Sequence, residues 1–236
     1  MFDLEKIIEA DKYLLLTLNG SESLYWDGCM TVYTSMIVWM PLALTLLYVL
    51  IKNNNIKTFC ILIAAITLVF FLTDGITSTI CKPLFERFRP TRDPELMYLV
   101  DVVNEYRCGK YGFMSSHAAN SFGIATFALL LIRNKTLSIS FILWAFLNGY
   151  SRIYLGVHYP GDVIAGTLVG ILSGILVYRL FKFVCSKVRN AGGRDWISTQ
   201  YTRSGYLVSD VHLLLLVLYG TFVAIPIIAF FVLQQH

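Results

Sequence analysis

Six apolar stretches, each long enough or nearly long enough to cross a bilayer, constrain this chain more than any other feature it has. A spanning helix needs roughly 20 mostly apolar residues, because the hydrocarbon core is about 30 Å thick and each residue rises about 1.5 Å. The stretches cover residues 32–51, 57–80, 117–132, 136–152, 162–184 and 211–233. The third and fourth are short, and the break Arg133-Asn134-Lys135 between them predicts two antiparallel helices rather than one. Lipid offers no partners for backbone N–H and C=O groups, so the predicted fold class is all-α, a polytopic membrane protein with six transmembrane helices. Composition agrees: 56% of residues are hydrophobic and 14% charged, against about 25% charged in a soluble domain. The net charge of +4 is small and scattered, which argues against a nucleic-acid partner. Five cysteines are widely spaced, with no C-x-x-C and no metal-ligand pattern.

Ahead of the first span, Phe2, Leu4, Ile7, Ile8, Leu14, Leu15 and Leu18 recur at helical spacing among acidic and basic residues. This predicts an N-terminal amphipathic helix lying in the membrane interface, within a segment 1–30. The whole chain, 1–236, reads as a single membrane domain with polar loops at 81–116 and 185–210. Six spans put the 81–116 loop, the junction of spans four and five, and both termini on one side. Ten of the 19 Lys and Arg residues fall on the other side, in the 51–57 link, the 133–135 turn and the 179–210 loop, which makes that side cytoplasmic by the positive-inside rule. The 81–116 loop is then extracytoplasmic.

Three polar clusters share the outward side. They are Lys82-Pro83-Leu84-Phe85-Glu86-Arg87-Phe88-Arg89-Pro90, then Met114-Ser115-Ser116-His117, then Ser151-Arg152 followed by His158 and Asp162. Ionisable groups at the membrane end of helices are costly unless they pair or serve function. The residue types suit hydrolysis of a phosphate ester through a protein nucleophile. That reaction needs cations on the non-bridging oxygens, a nucleophile in line with the leaving oxygen and an acid to protonate it. Lys82, Arg89 and Arg152 form the clamp, and Ser115 and Ser116 at a helix start donate from backbone or hydroxyl. His158 and His117 are left for nucleophile and acid. Asp162, in the first turn of the next helix, reaches back to the Nδ1–H of His158 and makes that ring the better nucleophile.

These clusters resemble the three signature motifs of the type 2 phosphatidic acid phosphatase (PAP2) superfamily: K-x6-R-P, P-S-G-H and S-R-x5-H-x3-D. The first and third match in residues and spacing; the second has Met114 and Ser116 where the family has Pro and Gly. A Ser at the Gly position exchanges a close backbone approach for a hydroxyl contact. The resemblance implies phosphomonoester or diphosphate hydrolysis without metal or cofactor. It makes His158 the nucleophile that forms a phosphohistidine, Asp162 its orienting carboxylate and His117 the general acid. Lys82, Arg89, Ser115, Ser116 and Arg152 then bind the phosphate.

The remaining features have plainer readings. Arg87, Arg92, Arg107 and Lys110 read as solvated or headgroup-facing charges. Gly166, Gly170 and Gly174 form a packing stripe in line with Asp162. Tyr98, Tyr106, Tyr111, Phe113, Tyr154 and Tyr159 read as interface anchors. Cys29 and Cys108 share the outward side and are able to pair in an oxidising compartment. The expected protein is an inner-membrane lipid phosphatase whose site faces the periplasm or cell exterior and whose partners are membrane lipids and a lipid phosphate substrate. Undecaprenyl diphosphate or lipid A is favoured, ahead of phosphatidylglycerol phosphate and phosphatidic acid; oligomeric state is left open. The alternative is a six-span lipid or anion transporter using the same basic pocket without turnover.

Overall fold

The computed structural model describes residues 4–188 and 200–234. Those residues form helices α1 (Leu4–Leu18), α2 (Leu24–Thr34), α3 (Met40–Asn53), α4 (Ile56–Asp74), α5 (Lys82–Phe85), α6 (Ser116–Ile132), α7 (Lys135–Tyr154), α8 (Pro160–Val188) and α9 (Val208–Leu233). No strand occurs among them, only two isolated bridges. Of the predicted loop 185–210, residues 189–199 lie outside the described residues, while its two ends belong to α8, which runs to Val188, and α9, which starts at Val208.

Four of the six expected spans are long and apolar enough to cross a membrane: Met36–Asn53, Ile56–Phe85, Pro160–Lys187 and Val208–Leu233. α6 is apolar but has only 17 residues, and α7 carries Lys135 and Arg152 at its ends. The first span begins later than its hydrophobicity suggests, because the backbone at Ser35 is extended and ends α2 there. The second begins at Ile56 and runs well past residue 80: a π-helical stretch, Gly75–Cys81, links α4 to α5 and carries Lys82 at its far end. The break between α6 and α7 falls where the polar triplet implies. Arg133 closes α6 in the left-handed conformation, and the Asn134 side chain accepts from Leu137 N to open α7.

Within the expected 1–30 segment the described residues form two helices, α1 and most of α2, rather than one stretch. α2 packs along α9. On α1, Leu15 is fully buried against Leu96, Val100, Ile153 and Tyr159, while Leu4, Ile7, Ile8, Leu14 and Leu18 stay exposed.

Helix association in lipid lacks the hydrophobic drive of water and depends on close packing. The main core meets that need through Leu62 and Val69 of α4, Ala125 and Phe127 of α6, Ala145 of α7, Val177 of α8 and Leu214 and Leu218 of α9. The glycine stripe of α8 lies flat on the α6 backbone. A Cβ at Gly166, Gly170 or Gly174 would stand 2.3 Å from Ser115 O, 2.4 Å from Ala119 O or 2.7 Å from Gly123 O. This contact brings the start of α6, with Ser115, Ser116 and His117, beside the start of α8, with Asp162. Ser115 N donates to Asp162 O at 3.0 Å.

Candidate active site

Four segments converge at one end of the bundle: the π-turn and α5, an extended piece at 87–89, the start of α6, and the α7–α8 junction. The extended piece pairs antiparallel with residues 110–112: Arg89 N donates to Lys110 O at 3.0 Å, and Gly112 N to Arg87 O at 2.9 Å. Residues 87 and 89 therefore point the same way.

His158 is 2% exposed between two fixed partners. Its Nε2 lies 3.0 Å from Arg89 Nη1, and its Nδ1 lies 3.3 Å from Asp162 Oδ2. A guanidinium only donates, so Nε2 is the unprotonated nitrogen and its lone pair accepts from Arg89. The ring proton then sits on Nδ1, facing the carboxylate. Burial, followed by the charges of Arg89, Arg152 and Lys82, holds the imidazole well below its ordinary range and hence neutral.

Asp162 is fully buried. Its Oδ2 also accepts from Tyr159 N at 3.1 Å, and its Oδ1 accepts from Arg87 Nη1 at 2.8 Å. Arg87 donates again from Nη2 to Asp11 Oδ2 of α1 at 2.7 Å, and Asp11 Oδ1 accepts from Gly161 N at 2.7 Å. The second contact satisfies one of the N–H groups left open at the start of α8. Arg87 is thus a structural member of the site, not the solvated or headgroup charge expected. Burial opposes its charge, and Asp162 and Asp11 more than offset that, raising its pKa. The guanidinium also stacks on the Tyr159 ring, 3.9 Å from its centroid. Tyr159 is 1% exposed and donates to Asp93 Oδ2 at 2.6 Å, so it is part of the core rather than an interface anchor.

Arg152, 1% exposed, donates to Thr34 Oγ1 at 2.6 Å, to Tyr106 OH at 3.3 Å and to Cys108 Sγ at 3.4 Å. Its Nε is buried without a hydrogen-bond partner. Cys29 and Cys108 are both free thiols, so the pairing open to them is not made. Arg89 is anchored to carbonyls, Nε to Tyr111 O at 3.1 Å and Nη1 to Val157 O at 3.0 Å.

Lys82 Nζ donates to Ser116 Oγ at 2.7 Å and to Ser78 Oγ at 3.0 Å, and Thr77 Oγ1 donates to Ser116 Oγ at 2.9 Å. Ser116 is therefore engaged with the lysine. Ser115 is fully buried and its hydroxyl caps α6, accepting from Ala118 N at 3.4 Å; both serine hydroxyls are committed within the protein. His117, in the first turn of α6, is exposed and its ring has no hydrogen-bond partner among the described residues. It follows Ser116, which holds Lys82, and Ser115, which is hydrogen-bonded to Asp162 beside His158, so these groups border one site.

A family model for the PAP2 superfamily matches residues 58–184. A lipid A 4'-phosphatase of Bacteroides thetaiotaomicron is 42% identical over 177 residues, covering 74% of this chain and 78% of that protein. A second lipid A 4'-phosphatase, from Porphyromonas gingivalis, is 34% identical over 186 residues and covers 78% of each. The crystal structure of Aquifex aeolicus LpxE superposes with a TM-score of 0.55 at 30% identity, over 71% of this chain and 93% of that one.

The chain belongs to the PAP2 superfamily. The resemblance read from its motifs is correct, and so are the expected classes, a PAP2-type phosphatase and an integral membrane protein. Within this PAP2 protein, all eight residues singled out from the motifs lie around one site. Sequence reasoning missed Arg87, Asp11 and Gly112. Arg87 had a signal, since an extended segment with a period of two sets it beside Arg89. Gly112 and Asp11 had none; their proximity to Asp162 is set by the tertiary fold. A Cβ at Gly112 would lie 3.1 Å from Asp162 Oδ2 and 3.6 Å from His158 Nδ1.

Proposed function

We propose that this protein removes phosphate from the headgroup of a cell-envelope lipid through a phosphohistidine at His158. Lipid A is the favoured substrate, because two relatives named for that activity align with this chain over 78% of their own length. The observation that carries the mechanism is the pair of contacts on His158, Arg89 on Nε2 and Asp162 on Nδ1. They leave a neutral ring with its lone pair directed at the cationic pocket. Lys82, Arg89 and Arg152 hold the non-bridging oxygens, and the unpartnered Arg152 Nε supplies a donor that a phosphate oxygen fills. Ser115 and Ser116 complete the phosphate site indirectly, Ser115 by capping α6 and tying it to Asp162, Ser116 by presenting the lysine it binds.

With a phosphate bound, its negative charge keeps His117 protonated among the cations and draws the Arg89 N–H off His158 Nε2; Nε2 then attacks phosphorus, the bond to the lipid oxygen breaks, and His117 donates its proton to that oxygen. Asp162 stabilises the positive ring as the phosphorus–nitrogen bond forms. Water then attacks phosphorus, giving its proton to His117 and returning the electron pair to Nε2. Positive charge comes from side chains throughout, so the scheme uses no metal or cofactor.

In this reading all six spans cross the cytoplasmic membrane as one domain, α6 and α7 included, and the site faces the periplasm or cell exterior. The exposed apolar face of α1 rests in the interface beside it. The test is phosphate release from lipid A, undecaprenyl diphosphate, phosphatidylglycerol phosphate and phosphatidic acid, with chelator present, by wild type and His158→Ala. Release by wild type and none by a folded His158→Ala supports the assignment; equal release by both sinks it. Binding without release by wild type would favour a transporter.

A further inference from the structure

Below the lysine cluster, α4 with its π-turn and α6 are joined by two polar rungs. The upper is Ser78 Oγ to Ser116 Oγ at 2.8 Å, with Lys82 on it; the lower is Asn120 Nδ2 to Asp74 Oδ1 at 3.2 Å. Each step between rungs is four residues on either helix, so the lower lies about one turn, roughly 5 Å, deeper in the bilayer. Asp74 is exposed, well inside the apolar span Ile56–Phe85. A carboxylate at such depth is costly and needs a function or a partner.

Helix–helix adhesion does not explain it. Thr73 Oγ1 donates to Asn120 Oδ1, which turns the Asn120 amide toward Asp74. One N–H meets a carboxylate with about four acceptor positions, and among the described residues no cation forms a salt bridge with it, Lys82 acting on it only from beyond that distance. A neutral Asn or Ser at 74 would join the helices without the charge. What the carboxylate adds is strong, unspent acceptor capacity on an open face one turn from the phosphate site. The π-turn between the rungs is a device that recurs at functional sites and sets their offset.

We propose that Asp74, held by Asn120, is a subsite accepting hydrogen bonds from amide N–H or hydroxyl groups that a substrate lipid carries about one turn deeper than its phosphate. This deepens the phosphatase reading and rests on it. An N-acylated, hydroxyacylated aminosugar phosphate such as lipid A has such donors beside its phosphate. A prenyl diphosphate offers only hydrocarbon at that depth, and a diacylglycerol phosphate only ester oxygens, which a carboxylate repels. The subsite would thus select substrates by what lies beneath the phosphate.

The experiment measures kcat and KM of the full chain in detergent for lipid A, farnesyl diphosphate, dioleoyl phosphatidic acid and para-nitrophenyl phosphate. Asp74→Leu should lower the ratio of kcat/KM for lipid A to that for farnesyl diphosphate about tenfold to a hundredfold, the size of a lost charged hydrogen bond. Asp74→Asn and Asn120→Ala should move it the same way by less, and Asp74→Asn carries the test if the Leu variant fails to fold. An unchanged ratio, or equal loss on all four substrates, overturns the proposal and makes Asp74 a structural partner. A wild type active on the other phosphates but not on lipid A also overturns it. A wild type that releases phosphate from none defeats the phosphatase reading first, and that result is visible before any variant is compared.

Discussion

Arg87 donates to Asp162 Oδ1 at 2.8 Å and to Asp11 Oδ2 at 2.7 Å, so one guanidinium joins the carboxylate behind His158 to the N-terminal helix. Arg87 touches neither His158 nor the pocket cations through a hydrogen bond, which makes it a positioning residue. Arg87→Gln should lower kcat about tenfold to a hundredfold with KM little changed, because orientation rather than phosphate charge is lost. Arg87→Lys, which keeps one contact but not the fork, should recover part of the loss. A rise in KM with kcat intact would place Arg87 on the substrate instead.

Asp162→Asn tests the carboxylate itself. The change keeps shape but removes the negative charge facing Nδ1–H and the partner of Arg87. We expect kcat to fall at least about a hundredfold while phosphate still competes for binding at near wild-type concentration. Loss of phosphate binding would mean that Asp162 acts by organising the cations.

Gly112→Ala places a methyl carbon 3.1 Å from Asp162 Oδ2 and 3.1 Å from Arg89 Cγ. Both neighbours are buried and held by hydrogen bonds, so the chain gives way at the dyad. Overpacking of this kind costs about 1–3 kcal/mol. Activity should fall far more than thermal stability, as measured by phosphate release and a melting curve on the same sample.

Ser116→Gly restores the glycine of the superfamily motif and removes the hydroxyl that Lys82, Thr77 and Ser78 share. We expect a change of only a few-fold, appearing in KM, since Lys82 keeps Ser78. A loss beyond about a hundredfold would show that the hydroxyl is indispensable to this chain's version of the site.

His158 also predicts a pH dependence of stability. Its folded pKa lies well below the ordinary value, so below about pH 6.5 the unfolded chain takes up a proton that the folded chain refuses. Stability therefore falls as pH drops from 7.5 to 5.5, and this contribution is absent above that range. His158→Asn should flatten the decline in Tm over the same interval; an unchanged slope would place the proton uptake elsewhere.

The membrane-protein class and the superfamily were legible in the chain, as was the placing of the eight motif residues at one end of the helices, because each depends on local order. Apolar length reports the bilayer, and motif spacing reports which side chains sit at which helix ends. The split of α6 from α7 was legible too, since Arg133 and Asn134 carry their own termination chemistry. The continuation of α4 through a π-turn was not, because hydropathy does not distinguish α from π winding. Nor were the partners that fix the site. Asp11 and Arg87 lie 76 residues apart, and Gly112 meets Asp162 only in the folded chain. Short-range periodicity and residue type are written along a chain, whereas which distant side chains meet is decided when helices close on one another, and that closure alone determines where each charge finds its counterpart.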